Sequence, residues 1–366
     1  MLSLVRNWFA RHLSDPQVIG LAFVLIIGFV LVYAAGDMLT PVIASVIIAY
    51  LLEGVVTSVE RRRVPRFAAV VVVFVVFMAG LVFFIFGLLP LLSRQATQLV
   101  NRLPDMLSRG QELLLNLPER YPDLITSNQV LEIISTLRLE LLSLGQQAVS
   151  MSLSSLVGII TVLVYLVLMP LMLFFFLKDK GQIIAWFQGF LPQDRKLIGE
   201  VWRDVDVQIA NYVRGKFIEI MIVGVATYVA FLLLNLQFAL LLGVVNGLSV
   251  LIPYIGATVV TFPIALVALF QFGFTSEFAW LMGAYLVIQA LDGNVLVPLL
   301  FSEVVNLHPI AIIVAILLFG GLWGFWGVFF AIPLATLVQA VLKAWPILEA
   351  YPEAKQPTAA TVSGPK

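Results

Sequence analysis

The chain has 366 residues, of which 61% are hydrophobic and 11% are charged. A mean hydropathy of +1.05, with several apolar runs of about twenty residues or more, places it among integral membrane proteins with many spans, surrounded by lipid. The 21 basic and 21 acidic residues balance, so no overall charge favours nucleic acid. There is no cysteine, no zinc-peptidase or serine-hydrolase motif and no P-loop, so we expect no metal, no cofactor and no enzyme.

Three apolar segments in the first 92 residues are predicted to cross the membrane and form a scaffold. The first, residues 17–36, follows two arginines and is interpreted as a retained span rather than a cleaved signal peptide. The others are residues 38–59, which contain the intramembrane acid Glu53, and residues 67–92. With a cytoplasmic N-terminus, two crossings return the chain to the cytoplasm at the arginine cluster between these two spans, as the positive-inside rule requires.

Residues 93–152 are predicted to form a small external domain of amphipathic helices. Apolar residues from Leu92 to Leu117 recur at alternating steps of four and three, which is typical of a helix with a packing seam. The third span therefore continues outward as a helix, and a second amphipathic segment, residues 130–151, follows it. Such a seam indicates packing within the chain or an oligomer contact.

Residues 153–213 are predicted to hold a fourth span and then amphipathic helices on the cytoplasmic side. The span, residues 153–177, returns to basic residues at Lys178 and Lys180. From Gln182 onward, apolar residues recur at helical spacing among charges. This pattern is typical of helices that lie along the membrane interface or dock under the spans.

Residues 214–345 are predicted to be the transport unit, because their helices are interrupted. Residues 238–252 are too few to cross the bilayer core, which predicts a half-helix that turns at a hinge formed by Pro253 and Gly256. Paired interruptions of this kind are the best sequence indication of a transporter's binding site.

A second interruption is predicted in residues 309–342, which are 34 residues without a charge and too long for one crossing. We predict two pieces folded at Gly320 and Gly321. Glycine is also common where membrane helices pack closely, so these positions indicate either hinges or packing contacts. The polar tail, residues 346–366, is predicted to be disordered.

An acid lies in the middle of another apolar segment. Asp292 is the fifteenth residue of the stretch 278–301, which contains no other charge. A carboxylate at this depth is costly, so such acids usually mark substrate or ion pathways. Gly293 and Pro298 weaken the helix around it, which predicts a broken helix with hinges at these two residues. The predicted substrate- or ion-binding residues are Asp292, Asn294 and Gln289.

Three ionisable residues stand where the next predicted span begins, namely Arg214, Lys216 and Glu219. Basic side chains at a span's end usually reach for the membrane surface and anchor the helix. Three such groups within six positions favour a gate or an ion pair. We predict a charge pair between Arg214 and Glu219.

Four stretches carry a likeness to a known family. They are YVRGKFIEIMIVG (212–224), VLIPYIGA (250–257), QALDGNVLVPLLFSEVVNLHP (289–309) and LLFGGLWGFWGVFFAIPLAT (317–336). The chain resembles the autoinducer-2 exporter (AI-2E) family over nearly its whole length, and most closely its PerM-type permeases. Asp292 stands where many members have Glu in a Q-x-x-E-x-N motif, as in the PerM-type branch.

The resemblance implies an eight-span protein of the bacterial inner membrane, with an external helical insertion after the third span and a homo-oligomeric assembly. It also implies export of autoinducer-2 or exchange of sodium or potassium for protons, since these activities are associated with members. Neither activity follows from the composition or spacing of this chain alone.

The prediction is thus an all-α permease or secondary transporter for a small polar metabolite or a monovalent cation, driven by an ion gradient or by facilitated flux. The alternative is a non-transporting oligomeric membrane scaffold or regulator that acts through its external helical domain. A third hypothesis, an intramembrane hydrolase, needs a second acid at the depth of Asp292, for which Glu53 and Glu219 are the candidates.

Overall fold

The protein folds as a bundle of helices. A computed structural model describes residues 16–115, 155–189, 196–253, 255–301 and 307–344, and every regular element in these ranges is helical. Six helices among them are long and apolar enough to cross a bilayer, and three shorter apolar helices accompany them. The predicted class, an all-α integral membrane protein, is confirmed. The second amphipathic segment of the external domain and the C-terminal tail lie outside the described residues.

α1 (Pro16–Glu60) is a single helix of 45 residues that continues through Gly36 and Asp37. At about 1.5 Å per residue its length is roughly 68 Å, about twice the thickness of a bilayer core. This corrects the prediction of two antiparallel spans. A lone glycine costs a helix only about 1 kcal/mol, and Pro41 is accommodated inside α1. The argument for a cytoplasmic N-terminus needed two crossings and loses its basis.

The third span continues outward as a helix, as the spacing of its apolar residues predicts. α2 (Arg66–Phe83) leads through a π-helical turn (Phe84–Leu88) into α3 (Leu89–Leu115). The Gln95 Oε1 atom of α3 accepts a hydrogen bond from the Leu241 N–H at 2.9 Å. The described part of the predicted external domain is therefore joined to the C-terminal half of the protein.

α4 (Ser155–Lys178) and α5 (Lys180–Gln188) bring a second basic segment to the end of α1. There the Glu53 carboxylate lies 3.3 Å from the Arg66 guanidinium and 3.4 Å from the Lys180 ammonium. Arg66 also donates a hydrogen bond of 2.9 Å to a carbonyl in the last turn of α4. The two basic segments consequently lie at the same end of the bundle, as the positive-inside argument predicts.

α6 (Lys196–Leu233) is one continuous helix of 38 residues, whose membrane-spanning part is Val205–Leu233. The predicted boundary at residue 213, between amphipathic helices and the next span, is therefore absent. No proline occurs within α6, so every backbone N–H beyond its first turn can bond to the preceding turn. The amphipathic segment is the first part of the span's own helix.

α7 (Ala239–Ser249) and α8 (Ile255–Phe272) form the predicted interruption, with Pro253 in the turn that joins them. A methyl group on Gly256 would lie 1.7 Å from the Ser249 carbonyl oxygen, so only glycine permits this close approach. The half-helix predicted from the short apolar run is confirmed.

α9 (Ser276–Leu291), a π-helical turn (Asp292–Leu296) and α10 (Val297–Phe301) follow as one apolar span. Two further helices, α11 (Pro309–Phe329) and α12 (Ala331–Ala344), end the described chain. α6 contacts α1, α7, α9, α10 and α12. The N-terminal and C-terminal halves are thus built around this one helix.

The last two apolar pieces are confirmed as separate, but the predicted turn at Gly320 and Gly321 is misplaced. The backbone leaves helical geometry at Gly324, with φ of 56° and ψ of −131°, a conformation that side chains with a Cβ atom rarely adopt. Gly320 stays helical and serves packing, because a methyl group there would lie 2.7 Å from the Val328 side chain. A second change of direction follows at Phe330, where α11 ends.

Candidate functional site

The helix that carries Asp292 is widened rather than broken. Residues Asp292–Leu296 form one π-helical turn, in which the Val297 N–H bonds to the Asp292 carbonyl five residues earlier. Pro298 follows at once and has no N–H to give, which weakens the α-helical alternative here. The predicted break is corrected to a π turn. Such single turns occur often at functional sites.

A buried ion pair lies on α6. The Lys216 ammonium and the Glu219 carboxylate are 2.8 Å apart, and their side chains are 5% and 2% exposed. This corrects the predicted pair of Arg214 and Glu219. Positions three apart share one face of a helix, whereas positions five apart are turned by roughly 140°.

Asp292 faces this ion pair. The π turn contacts α6, and the Asp292 carboxylate interacts electrostatically with both Lys216 and Glu219. The Asp292 Oδ1 atom is buried and has no hydrogen-bond partner among the described residues. We call Lys216, Glu219 and Asp292 the charged cluster. With both acids ionised it carries one negative charge in excess, which a proton or a monovalent cation could neutralise.

Gln289 connects the helix that carries Asp292 to a chain of buried and partly buried hydrogen bonds. Its Nε2 atom donates to the Asn246 Oδ1 atom at 2.9 Å and to the Tyr285 hydroxyl at 3.0 Å. Asn246 donates in turn to the Thr227 hydroxyl at 2.8 Å, and the Tyr285 and Thr261 hydroxyls are 2.9 Å apart. These five residues, which we call the polar chain, join α6, α7, α8 and α9.

Four members of the polar chain were missed by the sequence analysis, which named only Gln289. Thr227, Asn246 and Tyr285 are fully buried. Asn246 carried the one usable signal, because an amide within a short apolar helix needs a partner at membrane depth. Threonine and tyrosine are too common in membrane helices to have pointed to this site.

Asn294 is not brought together with Asp292 and Gln289. Two positions along a helix turn a side chain by about 200°, and Asn294 is exposed on the far face. Its amide donates to the Ala290 carbonyl of its own helix at 2.8 Å. Gly293 lies within the π turn and Pro298 follows it, and both are exposed. The predicted hinge residues therefore do not line the charged cluster.

Arg214 and Glu53 lie apart from the charged cluster. The Arg214 guanidinium packs on Gly54 of α1, where an added methyl group would lie 3.1 Å from its Nε atom. Glu53 pairs with Arg66 and Lys180 at the end of the bundle. The acid that accompanies Asp292 is therefore Glu219, which is held by Lys216 and is not a free second carboxylate for hydrolysis.

A membrane bundle in which interrupted helices surround buried charges is the architecture of a membrane transport protein. The sequence profile described as AI-2E family transporter matches residues 21–347, so the chain belongs to the AI-2E family. The resemblance noted from the sequence is confirmed, and the family is named for transport rather than for a catalytic activity.

Individual relatives agree with this assignment. PerM of Escherichia coli (strain K12), described as a candidate permease, is 47% identical over 346 residues, which cover 94% of this chain and 98% of PerM. YueF of Bacillus subtilis (strain 168), described as a candidate transport protein, is 28% identical over 305 residues and 82% of each chain. The AI-2 transport protein TqsA of Escherichia coli (strain K12) is 24% identical over 338 residues, or 88% of this chain and 92% of TqsA.

Proposed function

We propose that the protein is a secondary transporter in which Asp292 takes up and releases the coupling ion. The cargo is a small polar metabolite or a monovalent cation. The observation that carries the proposal is the buried Oδ1 atom of Asp292, which has no hydrogen-bond partner in the described part of the chain, near the ion pair of Lys216 and Glu219. A carboxylate oxygen left without a donor at membrane depth is costly, which supports a role for its occupied state in the transport cycle.

The charged cluster supplies the two states that coupling requires. When Asp292 is ionised, the charged cluster has two carboxylates for the one ammonium group of Lys216, and the Lys216 charge acts on both. When Asp292 is neutralised, Lys216 is left to Glu219 alone. The cargo's binding then depends on which arrangement is present, because a ligand shifts such an equilibrium by its difference in affinity for the two states.

The polar chain supports a polar cargo. It links amide and hydroxyl groups of four helices to Gln289, which lies about one helical turn before Asp292. Because TqsA is an AI-2 transport protein by name, autoinducer-2 is the first metabolite to test, beside sodium and potassium.

Transport by reconstituted protein tests the proposal. Proteoliposomes loaded with a pH-sensitive dye receive sodium, potassium or autoinducer-2 under an imposed proton gradient. Asp292→Asn keeps the shape of the side chain and removes its charge, and we expect the ion- or solute-dependent proton flux to fall at least about tenfold. Asn294→Ala is the matched control on the same π turn, and its flux should equal that of the wild type.

Equal fluxes from wild-type and Asp292→Asn protein would contradict the proposal. If deletion of residues 93–152 then abolished the cellular phenotype while Asp292→Asn did not, the scaffold or regulator alternative would take its place.

We also propose that the protein is a homo-oligomer of the bacterial inner membrane, with the basic end of the bundle in the cytoplasm. The support for this orientation is the shared position of Arg66 and Lys180 at one end of the bundle. A cysteine placed at Arg62 should react with a membrane-impermeant thiol reagent in inverted vesicles and not in intact cells.

A further inference from the structure

Two helix ends and one aromatic ring meet on one turn of α6. The Tyr212 hydroxyl donates to the Phe329 carbonyl at 2.9 Å, where α11 ends, and the Lys216 ammonium donates to the Val250 carbonyl at 2.7 Å, where α7 ends. Phe301 of α10 packs on Gly215 between them. Helix C-termini carry a partial negative charge, so this turn of α6 lies in a negative field.

The surroundings of the Lys216 ammonium are those of a bound cation. It has a backbone carbonyl oxygen at 2.7 Å, a carboxylate oxygen of Glu219 at 2.8 Å and the Phe301 ring centroid at 5.2 Å. The carbonyls of interrupted helices and intramembrane carboxylates are the ligands with which transporters hold sodium, and carbonyls also replace the water shell of potassium in channels. An aromatic face adds a favourable cation–π contact.

We propose that Lys216 is a tethered cation that occupies an alkali-cation site formed by the Val250 carbonyl, the Glu219 carboxylate and the ring of Phe301. The wild-type protein then needs no sodium or potassium at this position. The exchangeable charge of the cluster is left to Asp292, whose ligand is a proton. This consequence for coupling rests on the proposed function, whereas the cation site itself does not.

A purely structural ion pair predicts something different. Removal of one partner of a buried pair leaves an uncompensated charge and destabilises the fold, and dissolved salts do not restore the loss beyond ordinary screening. A tethered cation predicts recovery by the particular alkali ion that fits the vacated place. The two explanations are therefore separated by the cation dependence of stability in a Lys216 variant.

The test measures binding in the full-length protein. Lys216→Ala is compared with the wild type and with the double variant Lys216→Ala/Glu219→Gln, in sodium, potassium or N-methyl-D-glucamine chloride at equal ionic strength. At an alkali-ion concentration about tenfold above Kd, we expect Tm of Lys216→Ala to rise by roughly 2 °C over the organic cation. The wild type and the double variant should shift by less than about 1 °C.

A chemical restoration gives the second measurement. The natural chain has no cysteine, so Lys216→Cys introduces a single thiol. Reaction with an aminoethyl methanethiosulfonate reagent attaches a positively charged side chain close in length to lysine. We expect the alkali ion that stabilises Lys216→Ala to slow this reaction at least about threefold, and the ammonium-modified protein to lose its alkali-ion dependence.

An unchanged Tm of Lys216→Ala in both alkali salts would overturn the proposal. Failure to isolate Lys216→Ala in any of the salts, when the double variant can be isolated, would also overturn it. That result would mean that no alkali ion replaces the lost positive charge beside the Glu219 carboxylate. Both readouts are independent of flux, so the cation site and the transport function can fail separately.

Discussion

At the scale of single residues, the polar chain is held by one amide. Gln289 donates to both Asn246 and Tyr285, and so connects the two parts of the polar chain. The Asn246 side chain is fully buried, and its oxygen has Gln289 as its partner. Loss of Gln289 therefore strands a carbonyl group away from water, which costs more than the net value of the bond itself.

We expect Gln289→Leu and Asn246→Leu each to lower the free energy of unfolding by about 1–3 kcal/mol. The double variant should lose less than the sum, by an interaction of about 0.5–3 kcal/mol, because each single change leaves the other partner unpaired. Denaturant titration of the purified protein measures all three. Asn294→Ala, which loses only a bond to its own exposed turn, is the control, and strict additivity would show that the two amides act separately.

At the scale of helices, the turns were predictable where glycine and proline force them. The half-helix ending at Pro253 followed from run length alone, and its close approach at Gly256 confirms the reason. The turn at Gly324 was misplaced by three to four residues, because several glycines compete there. Only tertiary packing decides which glycine adopts the positive φ and which allows a neighbouring side chain to approach closely.

The position of the break in α11 can be tested with a matched pair of glycine variants. Gly324→Ala forces a Cβ atom into a backbone conformation that alanine avoids, and we expect it to lower the free energy of unfolding by about 1–3 kcal/mol. Gly321→Ala adds its methyl group in a helix where no atom lies within 4 Å, and should be neutral or stabilising by up to about 1 kcal/mol. Thermal or denaturant unfolding compares them. The reverse order would return the break to the predicted Gly320 and Gly321.

The charged cluster shows the limit of reasoning along one sequence. Asp292 was recognised as costly and Glu219 as part of a charge pair, yet Arg214 was chosen as the partner of Glu219 in place of Lys216. Once α6 is one helix, spacing alone selects Lys216. The contact between Asp292 and α6 joins segments more than seventy residues apart, and no local pattern predicts such a pairing.

At the scale of the whole molecule, the length of α1 is the sharpest departure from the predicted topology, and it can be measured directly. Phe23 and Ser58 are exposed on α1, and 35 residues of helix place their Cα atoms about 52 Å apart. Antiparallel spans with a turn near Gly36 would place the same positions within roughly 20 Å.

Spin labels on cysteines at these two positions should therefore give a long distance by pulsed electron resonance. The chain has no native cysteine, so both sites are unique. Dilution with unlabelled protein removes distances between copies, and each single-cysteine variant is the background control. A dominant distance in the shorter range would restore the two predicted spans and, with them, the argument for a cytoplasmic N-terminus.

The continuity of α6 has a consequence for how such a protein can move. The predicted transport unit begins inside this helix, so no loose linker separates it from the amphipathic segment that precedes it within α6. Domain closure by hinge needs a few residues that absorb a large change of backbone angle, whereas shear needs only helices that slide along smooth faces. α7 rests on α6 with Gly247 against Gly224, backbone on backbone. We therefore expect alternating access to involve sliding of α7 along α6 at the contact between Gly247 and Gly224.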